Sequence, residues 1–205
     1  MRLLTDTTPL RESRQFRLLF IGRTASVVGS QFTVVAAPVQ VFDITGSTLM
    51  VGLLGLAQLP PLLFTSFLGG TLADAFDRRR VLIVTQVVLA LAAAGLALNA
   101  GLAEPRLSIV FVLTAVIAAL SGIDAPTRTA ATPSLVTAGQ LPAALALNQL
   151  GFQVSLVVGP AVAGFVIAWS VAAAYWIDVV TFGLALLTLL AMSPMRPAGG
   201  GTAPG

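Results

Sequence analysis

Residues 129–177 read TAATPSLVTAGQLPAALALNQLGFQVSLVVGPAVAGFVIAWSVAAAYWI, and no charged side chain falls between Arg128 and Asp178. A soluble surface carries about 25% charged residues, so a run of this length has no place on one. A helix crosses a bilayer with roughly 20 mostly apolar residues. The run therefore supplies one span over 143–168 and opens a second over 171–192, which only Asp178 interrupts. Moving back towards the N-terminus, the same spacing between charges gives spans over 18–41, 49–68, 81–100 and 107–123. In lipid each span must satisfy its own backbone hydrogen bonds, so all six are expected to be helices. The alternating segments of a membrane β-barrel are missing from the pattern.

Composition agrees. The 205 residues are 57% hydrophobic and 9% charged, with eleven arginines, no lysine and eight acids. A nucleic-acid partner is not expected, because the arginines are explained better by where they fall along the chain. The chain has no histidine and no cysteine, which removes thiolate and imidazole metal sites, haem and Ser-His-Asp chemistry. Neither an enzymatic activity nor a bound cofactor is expected. Residues 1–17 read as a polar, arginine-bearing cytoplasmic segment with no cleaved signal. Residues 18–192 form the membrane domain, and 193–205 read as a Gly/Pro-rich tail or truncated linker.

Orientation follows from the arginines, which favour cytoplasmic loops. With both termini inside, Arg2, Arg11, Arg14, Arg17, Arg78, Arg79, Arg80, Arg128 and Arg196 all lie on the cytoplasmic face. Arg106 is then outside and Arg23 in the membrane. Trp169, Tyr175 and Trp176 gather near the outer turn between spans five and six, where aromatic anchors are expected. The expected location is the cell membrane, crossed several times.

The turn between spans two and three reads GGTLADAFDRRRVL from Gly69 to Leu82. Glycines allow helices to approach closely, an acid follows, and arginine comes four residues later. Positive-inside anchoring alone would explain the arginines but not the Gly-Asp pattern. This stretch resembles the G-x-L-a-D-x-x-x-R-[RK]-x-x-L signature of the major facilitator superfamily, matched by Gly70, Leu72, Ala73, Asp74, Arg78, Arg79 and Leu82. Asp77 stands where the turn usually has glycine, as in the drug:proton antiporter-3 and enterobactin-exporter branch. Further similarity lies in Gly22-Arg23-Thr24, in Ala125-Pro126-Thr127-Arg128 and in Gly159-Pro160 with Gly164. The last resembles the Gly-Pro motif that proton-driven exporters carry in span five. Two departures stand out. Ser30 occupies a position where many relatives carry an acid, and the chain has six spans where members have twelve.

The resemblance implies an all-α membrane fold, the N-terminal half of a major facilitator, built as two inverted three-helix repeats. It also implies an inner gate of Gly70, Asp74, Arg78, Arg79, Asp124 and Arg128. In the family the motif acid caps or pairs with a helix of the second half, and the first motif arginine pairs with an acid at the inner end of span four, where Asp124 sits. A solvated loop acid is the plainer reading of Asp124. Pro160 removes a backbone hydrogen bond and kinks a helix, and Pro60-Pro61 is expected to break span two. Interrupted segments in corresponding repeats point to a transport pathway; ordinary helix irregularity is the other reading.

Ionisable groups inside a bilayer tend to face a cavity or a partner. Arg23 either snorkels to the inner headgroups or lines the cavity. Asp178 lies too deep for water to reach easily, which suits a proton-exchanging group or an acid hydrogen-bonded to neighbouring helices. Gln31 and Gln58, with Gln86, Gln149 and Gln153, either line a polar path or join helices. The expected function is proton-coupled efflux of small amphipathic or siderophore-like molecules. The proton gradient would supply the energy, and a second six-helix half, from its own copy or a separate chain, would complete the pathway. The alternative is a truncated or split half with no transport of its own, at most an assembly partner.

Overall fold

The structure is a computed structural model that describes residues 6–195, apart from the side chains of residues 72–74. The expectations for Arg2, Arg196, the carboxylate of Asp74 and the tail beyond residue 195 lie outside the described residues. A short helix α1 (Thr8–Glu12) leads into α2 (Arg14–Thr45). Ser13 makes that junction: its hydroxyl accepts from the Phe16 N–H at 3.1 Å and donates to the Leu135 carbonyl at 2.6 Å. The start of α2 is thereby tied to the loop that precedes α6. Helix α2 ends at Gly46, whose φ of +63° suits glycine and whose N–H reaches the Phe42 carbonyl at 2.7 Å.

Helices α3 (Thr48–Ala75), α4 (Arg78–Ala100) and α5 (Leu107–Ala131) follow. Two 3-10 turns, Thr132–Leu135 and Ala138–Gln140, carry the chain to α6 (Leu141–Ile167), and a brief turn leads to α7 (Val171–Leu190). Among the described residues six helices, α2 to α7, are long and apolar enough to cross a membrane. The shortest, α7, has 20 residues, or about 30 Å at 1.5 Å per residue, which matches the hydrocarbon thickness.

The expected spans lie on these helices to within a few residues, with one informative exception. Span four is expected to stop before Asp124, yet α5 runs on to Ala131. Asp124 and Arg128 stand one helical turn apart and pair with each other, so the charges that would end a span prolong the helix instead. The break expected at Pro60-Pro61 is absent too, since α3 is continuous from Thr48 to Ala75. Just beyond the prolines, the Thr65 and Ser66 hydroxyls bond back to the Pro61 and Leu62 carbonyls, each at 2.7 Å.

Helix α3 packs on α5, α2 packs on α6 and α7, and α4 packs on α5 and α7. Exchanging α2 with α5, α3 with α6 and α4 with α7 maps this set of contacts onto itself. The α2–α7 pair becomes α5–α4, α3–α5 becomes α6–α2, and α4–α7 is unchanged. Two inverted three-helix repeats produce this symmetry. Phe32, Val41, Leu54, Leu96 and Val110 form the larger core, and Leu19, Leu82 and Leu189 a second. Phe67 on α3 and Phe165 on the corresponding α6 are each about four-fifths exposed, an apolar surface suited to lipid or to another helical unit.

Helices α3 and α5 come close enough for a glycine on each to face the other's backbone. A Cβ on Gly69 would lie 2.8 Å from the Gly122 carbonyl, and one on Gly122 would lie 2.8 Å from the Leu62 carbonyl. Gly70 faces open space, so Gly69 rather than the motif glycine makes the approach. Tyr175 also departs from expectation. Trp169 and Trp176 are exposed at the turn, but Tyr175 is fully buried and donates its hydroxyl to Gln40 at 2.8 Å. Its ring belongs to the helix core and does not anchor at the headgroups.

Candidate functional site

A cavity of about 380 Å³ opens between α2, α3 and α5. Val34, Leu54 and Ile117 make its wall largely apolar, and Ser30, Thr33, Gln58, Thr114 and Ser121 bring polar groups to it. Such a lining suits a molecule with an apolar body and a few polar groups. Gln58, singled out from the sequence, is on this wall. Gln31 is buried elsewhere, against α6, where a Cβ on Gly159 would overlap its side chain. Gly159 thus serves the α2–α6 contact, while Gly164 on the same helix faces open space. Pro160 lies inside α6, which remains continuous.

Asp178 is fully buried between α7 and α2 and is not part of the cavity wall. It reaches the cavity through one residue: the Thr33 hydroxyl donates to Asp178 Oδ2 at 2.5 Å, and Thr33 itself lines the cavity. Thr181 approaches the other carboxylate oxygen at 3.5 Å, the outer limit of a hydrogen bond. Close packing depends on Gly29, since a Cβ there would meet Asp178 Oδ1 at 2.7 Å. Sequence reading picked out the acid but not Thr33; a threonine in an apolar helix gives no sign of its partner.

Near the C-terminal end of α5, three polar side chains gather around Asp124. Arg128 Nε lies 2.6 Å from Oδ2, while Thr85 Oγ1 and Gln86 Nε2 lie 3.3 and 3.2 Å from Oδ1. This acid is no solvated loop residue. It joins α5 to α4, with an ion-pair partner whose side chain is only 2% exposed. Arg79, from the motif, donates through Nε and Nη2 to the Leu189 and Leu190 carbonyls, each at 2.8 Å. The last turn of a helix leaves carbonyls without partners, and cations favour that end; Arg79 supplies both needs for α7. The neighbouring Arg78 N–H donates to the Met195 carbonyl at 3.2 Å. Asp77 caps α4 by accepting from the Arg80 N–H at 3.2 Å, a role that glycine in the same place could not fill with a side chain. Arg23 is half-buried on the wall of a second cavity, beside α5 and α6.

Two inverted three-helix repeats, a cavity between them and an arginine-clamped turn between the second and third spans are the setting for the comparison with known proteins. A family model described as "Transmembrane secretion effector" matches residues 4–199. The chain belongs to this family of major facilitator transporters. The chain is 30% identical over 195 residues to the enterobactin exporter EntS of Shigella boydii and, equally, to that of Escherichia coli. Each alignment covers 95% of the chain and 47% of the relative. The chain thus spans about half the length of the curated relatives it matches. The family is one of transporters.

Proposed function

We propose that the chain forms one half of an exporter in the cell membrane, with both termini cytoplasmic, that moves small amphipathic or siderophore-like molecules outward in exchange for protons. A second six-helix half, from another copy or a separate chain, closes the pathway. The observation that carries this reading is the cavity between α2, α3 and α5, apolar with scattered hydroxyls and the Gln58 amide. In the proposed cycle substrate occupies that cavity and Asp178 exchanges a proton by way of Thr33. Asp74, Arg78 and Gly70, with the Asp124–Arg128 pair, form the inner gate against the second half, and Arg79 steadies α7 beside it. Gly159, Pro160 and Gly164 give α6 the freedom to move against α2. Similarity to proteins named as enterobactin exporters supports the siderophore-like class.

Proteoliposomes holding the chain, alone or with a co-expressed second half, test the proposal under an imposed proton gradient. The probes are a catecholate siderophore and an amphipathic dye. Gradient-driven accumulation of at least one is expected. Asp74→Asn should abolish it while leaving membrane insertion intact, and Asp178→Asn should leave binding but uncouple movement from the gradient. A chain that inserts yet moves neither probe in either setting would overturn the transport reading in favour of an assembly role alone.

A further inference from the structure

We infer that the cavity of about 320 Å³ between the inner half of α2, the end of α5 and the start of α6 is an oxyanion site, taking a carboxylate or a phosphate group. Its wall carries Arg23, Thr129, Thr132, Asn148 and Gln149, with Leu145 the one aliphatic contributor. No acid lines it among the described residues. Arg128 lies beside it, joined through its backbone: Thr132 Oγ1 donates to the Arg128 carbonyl at 3.1 Å and accepts from Asn148 Nδ2 at 3.3 Å.

Charge and hydrogen bonding both leave a demand for an anion. Arg128 is 2% exposed, and its Nη1 and Nη2 have no hydrogen-bond partner among the described residues. Only Nε is engaged, by Asp124. These two nitrogens are buried and Arg128 is not on the cavity wall, so Arg128 contributes its charge to the site and no direct contact. Arg23 adds a second cation within the field of both Arg128 and Asp124. Two guanidinium groups against one carboxylate leave one unit of positive charge in a half-buried place. An oxyanion neutralises that charge and can accept from the Arg23 guanidinium and from the Asn148 and Gln149 amides at once, while the Thr129 and Thr132 hydroxyls already donate to the Ala125 and Arg128 carbonyls. The side-chain chemistry fits this better than an apolar ligand, which would leave the same donors unsatisfied. The inference needs only the six-helix chain and holds whether or not that chain transports anything.

The purified chain in neutral detergent tests it by heat unfolding, followed by circular dichroism. One arm titrates inorganic phosphate, and the other titrates dioleoylphosphatidylglycerol in mixed micelles. Sodium chloride and dioleoylphosphatidylcholine are the respective controls. A saturable rise in unfolding temperature beyond the control is expected in at least one arm. For Arg23→Gln the half-saturating concentration should increase about tenfold or more, the loss of a charge-assisted hydrogen bond. Arg17→Gln, which changes an exposed arginine bonded to the Leu10 carbonyl, should respond as the wild type does. Gln149→Glu, a change at an exposed position, places an acid on the wall and should abolish the response. A response to phosphate assigns a soluble oxyanion, and a response to phosphatidylglycerol alone assigns a lipid headgroup. No response in either arm, or an undiminished response in Arg23→Gln or Gln149→Glu, overturns the site.

Discussion

Replacing Gly122 with valine should part α3 from α5. A Cβ at residue 122 would lie 2.8 Å from the Leu62 carbonyl oxygen and 3.0 Å from the Ser66 nitrogen, besides overlapping the Thr65 hydroxyl. Two of these three neighbours are backbone atoms and cannot rotate aside. Restoring an ordinary 3.4 Å contact to the Leu62 carbonyl moves the helices apart by about 0.6 Å, a gap that forfeits about a quarter or more of the dispersion attraction along the seam. Overpacking of this kind costs about 1–3 kcal/mol. Valine brings two further carbons to the same spot, which places it at the upper end, near 3 kcal/mol. Its better helix propensity than glycine returns only a few tenths. Gly70→Val, at the very next residue after Gly69 but facing open space, should stay within about 0.5 kcal/mol of wild type. Equilibrium unfolding in mixed micelles with increasing dodecyl sulfate, followed by circular dichroism, measures both. Equal midpoints for the two variants would refute the α3–α5 contact as described.

Asp124→Asn should cost about 3 kcal/mol in the same assay, because it leaves the Arg128 guanidinium buried without its counter-charge; adding Arg128→Leu should recover most of the loss, and a single variant as stable as wild type would contradict the pair. Tyr175→Phe should cost about 1–2 kcal/mol, since it leaves Gln40 Oε1 without the buried donor it now has; an unchanged midpoint would return Tyr175 to the role of a surface anchor.

The fold was largely legible in the sequence, because charge is so costly in hydrocarbon that the gaps between charges mark the helices. Legibility failed where a charge is paired one helical turn on or a proline is carried inside a helix, because the gaps between charges register neither. Asp124 looked like the end of a span but pairs within α5, and Pro60-Pro61 looked like a break but lies in a continuous α3. Tyr175 shared the sequence neighbourhood of Trp169 and Trp176, yet one hydrogen bond to Gln40 turns it inward. The candidate site was legible in part. Asp124 pairs with Arg128, Gln58 is on the wall of the α2–α3–α5 cavity, and Arg23 is on the wall of a second cavity. Thr33, Thr85 and the donors around Arg128 were hidden, since their meaning comes from a partner far off in the chain. Gln31 and Gly159 meet across α2 and α6, a pairing that neither residue's spacing could announce.

The central claim is that this chain crosses the membrane six times with the Arg78–Arg80 turn inside. The chain has no cysteine, so single replacements each provide one unambiguous thiol. The decisive measurement is labelling of Glu104→Cys, Ser170→Cys, Arg80→Cys and Thr137→Cys by a membrane-impermeant maleimide in intact cells and after permeabilisation. Glu104→Cys and Ser170→Cys should label in intact cells, and Arg80→Cys and Thr137→Cys only once the membrane is opened. Labelling of Arg80→Cys from outside, or of both Thr137→Cys and Ser170→Cys from the same side, would contradict the claim.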